Sequence, residues 1–211
     1  AGIYCKQSMP WITQNLIRGN RAKYGSAIHC TESEPRISGN TIEQNTMYEY
    51  GSVYMGAANG AVTLDLCRNF LIDGNHILGN IAASGAGICL PTCFNGRILN
   101  NLIASNRAQQ PNLFVGRGAG IYCIVSQTPA GDHLNDVLIL NNTFVGNVAI
   151  DSLFNQGGWG GAMAFDILEE RLVVANNIVA FNSSGIWKQA VKKRFHYRSF
   201  RHEYGHPFLE P

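Results

Sequence analysis

Charged residues are scarce in this chain. Asp, Glu, Lys and Arg together make up 14% of its 211 residues, well below the quarter or so usual for a soluble domain. With 45% apolar residues beside them, so few charges exclude a disordered polymer held open by self-repulsion. Long hydrophobic runs are missing too. No stretch reaches 18 consecutive apolar residues, so a membrane-spanning helix is not expected. No basic patch followed by an apolar run opens the chain, so no secretory leader is visible. A secreted or cell-surface location is expected where a leader has been removed. No CxxC pair and no Cys/His cluster has zinc spacing, so neither a metal nor a cofactor is expected. The 23 glycines follow no three-residue period, which excludes a collagen-like chain.

The charges that exist are unevenly placed. Residues 183–211 hold six Lys/Arg against Glu203 and Glu210, whereas residues 1–182 hold ten Lys/Arg against twelve Asp/Glu. The body is nearly neutral, with no strong electrostatic reason to bind nucleic acid, and only the tail is basic.

What the chain has in abundance is a repeat. The pattern I-x-x-N-x-I-x-x-N, in close variants, returns six times: ITQNLIRGN, ISGNTIEQN, IDGNHILGN, ILNNLIASN, ILNNTFVGN and VANNIVAFN. The first Asn of each falls at 15, 40, 75, 101, 142 and 177. The shortest gaps imply a coil of about 25 residues, with insertions accounting for the rest. A strand precedes each copy, aligning Ile3/Cys5, Ile28/Cys30, Val62/Leu64, Ile88/Leu90, Ile121/Cys123 and Met163/Phe165. This two-residue alternation is the period of a strand.

Stacking the copies sets like on like. Ile12, Ile37, Ile72, Ile98, Ile139 and Val174 form one inward row, and Ile17, Ile42, Ile77, Ile103, Phe144 and Val179 a second. Ala22, Ala82, Ala108 and Ala149 suggest a narrower third. One coil cannot bury its own apolar face, but coils stacked roughly 4.8 Å apart share one core. Asn can adopt a left-handed corner and bond backbone through its amide, so Asn in register is expected to link coil to coil. The fold expected is all-β: a right-handed parallel β-helix of about six coils over residues 1–187. Residues 188–211 are expected to form a basic, aromatic C-terminal cap or tail.

The stretches GIYC…PWITQNLIRGN and GIYC…NDVLILNNTFVGN resemble the right-handed parallel β-helix proteins of the pectin-lyase-like superfamily, over roughly residues 1–187. The resemblance implies the fold and, through it, association with polysaccharide. Members of that superfamily include lyases, glycoside hydrolases, epimerases and adhesins, so the resemblance alone does not choose an activity.

Three insertions, between Asn45 and Val62, Asn106 and Ile121, and Asn147 and Met163, leave the rod at the same corner. Their Tyr48, Tyr50, Tyr54, Phe114, Asp151 and Trp159 are the candidate ligand-binding residues, because aromatic faces on clustered loops can pack against sugar rings. Catalytic residues are not identifiable. Asp73 and His76 flank Asn75 without a carboxylate partner on adjacent coils, and His29 is expected to face outward. Cys5 and Cys30 share an inward position and read as stacked buried thiols, with a disulfide geometrically open; Cys67 and Cys93 are the better-placed pair for a bridge. Beyond Asn182 the Asn repeat breaks, and residues 187–206 are expected to cap the last coil by burying Trp187, Val191, Phe195 and Tyr197. A basic recognition tail is the alternative. The leading functional expectation is a carbohydrate-binding β-helix. A polysaccharide lyase or glycosidase, and an assembly module stacking through an open coil end, stand as alternatives. The candidate partners are a polysaccharide and a second copy docked on the N-terminal coil.

Overall fold

The computed structural model describes residues 1–23, 25–47, 59–109, 116–125, 137–151, 156–167 and 172–190. In every coil the chain makes short strands separated by corners, and each strand pairs in parallel with its counterpart one coil away. Four stacks result. Sheet A contains seven strands: Ile3–Lys6, Ile28–Thr31, Val62–Asp65, Ile88–Pro91, Ile121–Val125, Met163–Ile167 and Ile186–Ala190. Sheets B, C and D begin at Trp11–Thr13, Leu16–Arg18 and Arg21–Ala22, and each contains six strands. Sheet D ends on an antiparallel partner, Gln156–Gly157, folded back onto Val148–Asp151. The arrangement is a parallel β-helix.

The register is the one the repeat implies. Ile72 pairs with Ile37 and Ile98 in sheet B, and Ile77 with Ile42 and Ile103 in sheet C. In sheet D, Ala82 pairs with Ala108 and Ala108 with Ala149, while Met47 fills the same row beside Ala22. From Ile37 to Ile139 and from Ile42 to Phe144 the two rows are fully buried in one continuous core, where each large side chain contributes roughly 1.5–3 kcal/mol. At the last coil Val174 is only partly buried and Val179, expected inward, is 37% exposed. Ala82, Ala108 and Ala149 form a separate cluster with Met47, which fills the narrow edge at the second coil where the other coils carry alanine. Close packing also explains a glycine: a Cβ at Gly60 would collide with the carbonyl oxygen of Gly85 on the next coil.

Both Asn columns form continuous ladders. Asn40 Nδ2 donates to Asn75 Oδ1 at 3.0 Å and to the Ile12 carbonyl at 2.7 Å, while Asn40 Oδ1 accepts from the backbone and side-chain nitrogens of Asn15. The pattern recurs through Asn177, and in the second column through Asn182. The left-handed corner, however, falls on the residue before each ladder Asn, as at Gln14, Asn100 and Phe181 with φ of 56°, 55° and 58°. The ladder Asn itself must turn its amide inward to meet carbonyls of the neighbouring coil, so its neighbour takes up the bend.

A third ladder, unseen in the sequence, lines the corner after sheet A. The Ser33 hydroxyl donates to Thr31 O and accepts from Ser8 N. Cys67 Sγ donates to Cys30 O at 3.4 Å, and Cys93 Sγ to Leu64 O at 2.9 Å. All six cysteines are free thiols. Cys67 and Cys93 therefore do not bridge; each points at a backbone carbonyl of the preceding coil, as a ladder Asn does. Burial pushes the Cys67 thiol up to about 11, so it stays protonated and able to donate.

The break after Asn182 ends the Asn columns without ending sheet A. Ser183 and Ser184 hydroxyls hold the shortened corner by bonding Ala149 and Gly161 backbone nitrogens. The chain then adds a seventh strand in which Ile186 pairs with Met163 and Trp187 with Ala164. Trp187 thus belongs to the outer face of sheet A, while Val191, Phe195 and Tyr197 lie outside the described residues.

Candidate functional site on the outer face of sheet A

Outward positions of sheet A alternate with the buried core rows. In coil order, one outward row reads Tyr4, His29, Thr63, Cys89, Tyr122, Ala164 and Trp187. The second carries Lys6, Thr31 and Asp65 at one end and Pro91, Ile124 and Asp166 further along. Thr63, Cys89, Tyr122 and Ala164 are almost wholly withdrawn from solvent. The polar groups gather at the two ends.

At the N-terminal end the Tyr4 ring meets His29 edge-on at 5.4 Å, and His29 Nε2 lies 3.3 Å from Thr31 Oγ1. Burial lowers the His29 pKa, a shift that Asp65 partly opposes. Burial raises the Asp65 carboxyl, with His29 pulling it down and Glu32 adding to the rise. Glu32 itself accepts from Gln7 Nε2 at 2.8 Å.

At the C-terminal end a tighter group forms. Arg117 and Trp159 come from the corner ahead of sheet A, where Ser84, Arg117 and Trp159 stack in parallel bridges. Arg117 Nη1 lies 2.9 Å from Asp166 Oδ2 and donates to Tyr122 Oη at 3.2 Å. Tyr122 Oη donates to the same Asp166 oxygen at 2.5 Å. Asp166 Oδ1 is enclosed without a hydrogen-bond partner among the described residues. Burial first, and then the Asp166 carboxylate, push the Tyr122 hydroxyl well above its ordinary range, so it acts as a donor and not as a base. The Arg117 guanidinium lies over Trp159 at 4.4 Å, and Trp159 stacks on Trp187 at 4.6 Å with 19° between ring planes.

Of the residues expected from sequence, Trp159 is in this group. Tyr48, Tyr50, Tyr54 and Phe114 lie outside the described residues. Asp151 closes the strand Val148–Asp151 and pairs with Gln156, its side chain being outside the description. Arg117, Tyr122, Asp166 and Trp187 were not expected. A signal for Trp187 exists: Gly185-Ile186-Trp187 repeats the outward-aromatic pattern of Gly120-Ile121-Tyr122. Arg117 and Asp166 carry no such signal, since 49 residues separate them. Asp73 accepts from Asn100 Nδ2 at 2.9 Å and is used in a corner.

The carboxylates restrict the chemistry. Asp65 and Asp166 share an outward row but stand three coils apart, about 14 Å at the spacing of parallel strands. A glycosidase needs its two carboxyl groups roughly 5–9.5 Å apart. Among the described residues no group of three or more His, Cys, Asp or Glu is placed to hold a metal ion, and no helix is long and apolar enough to cross a membrane.

Coils in parallel register, closed by amide ladders and carrying an aromatic and polar patch on one outer face, place the molecule among the β-solenoids whose sheets form a prism around one core. Residues 1–162 match the family described as the right-handed β-helix region. The chain belongs to that family, within the pectin-lyase-like superfamily. Comparison with curated proteins and with solved structures returned no significant match.

Proposed function

We propose that the protein is a carbohydrate-binding β-helix that receives a polysaccharide at the Trp159–Trp187 end of the outer face of sheet A. Membership of the β-helix family is consistent with carbohydrate association. The observation that carries the reading is the stacked indole pair held against an Arg117–Asp166 ion pair. A sugar ring offers an apolar C–H face and a rim of hydroxyls. Arg117 lies over the Trp159 ring and Trp187 stacks on it, so the exposed edge of the pair is what meets the first, and fixed polar groups serve the second. Trp159 remains 36% exposed, so part of the pair is within reach of a ligand. Tyr48, Tyr50, Tyr54, Phe114 and Asp151 are proposed to extend this surface. Cleavage is the weaker reading because the carboxylate described at the indole pair, Asp166, is already held by Arg117 and Tyr122, and nucleic acid is not the proposed partner because the body of the chain is nearly neutral.

Affinity electrophoresis through gels containing soluble polysaccharides tests the proposal, with reducing-end and unsaturated-product assays on the same mixtures. Wild-type protein should be retarded without product forming, and Trp159→Ala should lose about tenfold in affinity, equivalent to ~1.4 kcal/mol. Free migration of folded wild-type protein in every gel would sink the reading.

A second copy of the chain is the other proposed partner. The first coil carries Trp11 and Leu16, 77% and 64% exposed on the outer faces of sheets B and C. Light scattering should report a dimer that Leu16→Glu converts to a monomer; a monomeric wild type at high concentration rejects it.

A further inference from the structure

We infer that the outer-face site of sheet A selects neutral glycans and discriminates against polyuronates. This rests on the carbohydrate-binding reading above and concerns which class of polymer that site admits.

The cation at the indole pair is already engaged. Among the described residues that cation is Arg117, and its Nη1 already serves Asp166 and Tyr122 while its guanidinium plane covers Trp159. A carboxylate ligand is best held by an arginine that can offer both arms of its fork. Arg117 is not free to do so, because Asp166 occupies the place that a uronate carboxylate would take. At the other end of the face, burial keeps His29 neutral around pH 7, and Asp65 and Glu32 lie beside it. Among the described outward positions of the sheet A strands, Lys6 stands against Asp65 and Asp166.

Donor and acceptor chemistry points the same way. Asp65 and Asp166 put two carboxylates on this face, although Asp166 Oδ1 is itself buried and out of a ligand's reach. Sugar hydroxyls bring donors to such a patch, whereas an ionised carboxylate brings only more acceptors and a like charge. Two cations elsewhere on the rod have their own partners. Arg18 pairs with Glu43 at 3.4 Å, and Arg36 lies 6.0 Å from the Trp11 ring centre.

The test compares retention in gels of hydroxyethyl cellulose, galactan and mannan with gels of polygalacturonate, alginate and the methyl ester of polygalacturonate. The ester keeps the backbone of the acid and removes its charge. The expected result is tighter retention by neutral polymers, with the methyl ester at least about tenfold ahead of polygalacturonate at 0.1 M salt. That ratio should shrink at 1 M salt, where the screening length falls from roughly 10 Å to 3 Å. Asp166→Asn, checked for folding by circular dichroism, should also shrink it several-fold by releasing Arg117 to meet a uronate. Polygalacturonate or alginate binding as tightly as the neutral polymers overturns the selectivity and leaves carbohydrate binding standing. Retention by none of the polymers overturns both.

Discussion

Along the inner face of sheet A, successive coils repeat one kind of side chain, as in Ile28, Val62, Ile88 and Ile121; along the outer face of the same strands, His29, Thr63, Cys89 and Tyr122 have nothing in common. The difference has a packing cause. An inward residue must fit an equivalent residue about 4.8 Å above and below it, within a core of fixed width, so each coil accepts nearly the same shape. On the outer face only Cys89, Tyr122 and Ala164 form a small buried cluster among the described residues, and an outward residue lies outside the shared core. Its chemistry is free to change from coil to coil, and that is where His29–Asp65 and Arg117–Tyr122–Asp166 occur. The outer face shows a second contrast within itself. Its middle is closed, while its aromatic and charged groups lie at its ends.

If the two faces divide stability from binding in this way, substitutions should separate the two properties. Inside, Leu90→Ala should have the largest effect, costing about 3 kcal/mol because it empties a fully buried position with coils on both sides. Urea denaturation measures the loss, and glycan retention per folded molecule should not change. Asn101→Ala should cost nearly as much, about 2–3 kcal/mol, since it leaves the buried Asn75 backbone and side-chain donors without their acceptor. Asn15→Ala, at the exposed start of the same ladder, should cost under about 1 kcal/mol; equal losses at the two positions would show that the ladder is not a stack of locally buried bonds. Outside, the order reverses. Trp159→Ala should remove about tenfold in glycan affinity while changing stability by no more than about 1 kcal/mol.

The smallest effect concerns pH. Burial holds the folded His29 pKa below its ordinary 6.5, so on acidification the unfolded chain takes up that proton first. The stability associated with neutral His29 is therefore complete above pH 6.5 and lost as pH falls from there through the lower folded value. Asp65, raised above 3.8, acts in the opposite sense: the folded state takes up its proton first, and stability recovers as pH falls through its folded value towards 3.8. His29→Gln should flatten the decline in Tm just below pH 6.5. An unchanged slope would mean that the outer face does not couple to folding through His29.

How much could be read without coordinates follows the same division. The aliphatic rows, both Asn ladders and the alanine edge were legible because each depends on identity at a fixed spacing. The Ser8–Ser33–Cys67–Cys93 corner was not, because hydroxyl and thiol replace one another there and no single residue type marks it. The left-handed bend was expected on the ladder Asn and is found one residue earlier, on Gln14, Asn100, Phe181 and their equivalents. Only the amide's reach to a neighbouring coil explains that shift. The seventh strand of sheet A was hidden for a related reason: it lacks the Asn corners that announce the others.

The candidate site was least legible. Trp159 stood out as an aromatic residue in an insertion, but its partners are Arg117 from the preceding coil and Trp187 from the following one. Asp166 is an ordinary outward position on a strand until Arg117 and Tyr122 converge on one of its oxygens.

By itself the sequence determined the coil, because a periodic chain has one economical way to bury periodic apolar residues and to satisfy periodic amides. It determined the fold class, the core rows and the Asn columns for that reason. Only the tertiary structure decided which outward residues meet, because stacking brings together side chains tens of residues apart that no local period relates. The Arg117–Tyr122–Asp166 group and the Trp159–Trp187 stack exist through that convergence, and so does the face on which a glycan is proposed to bind.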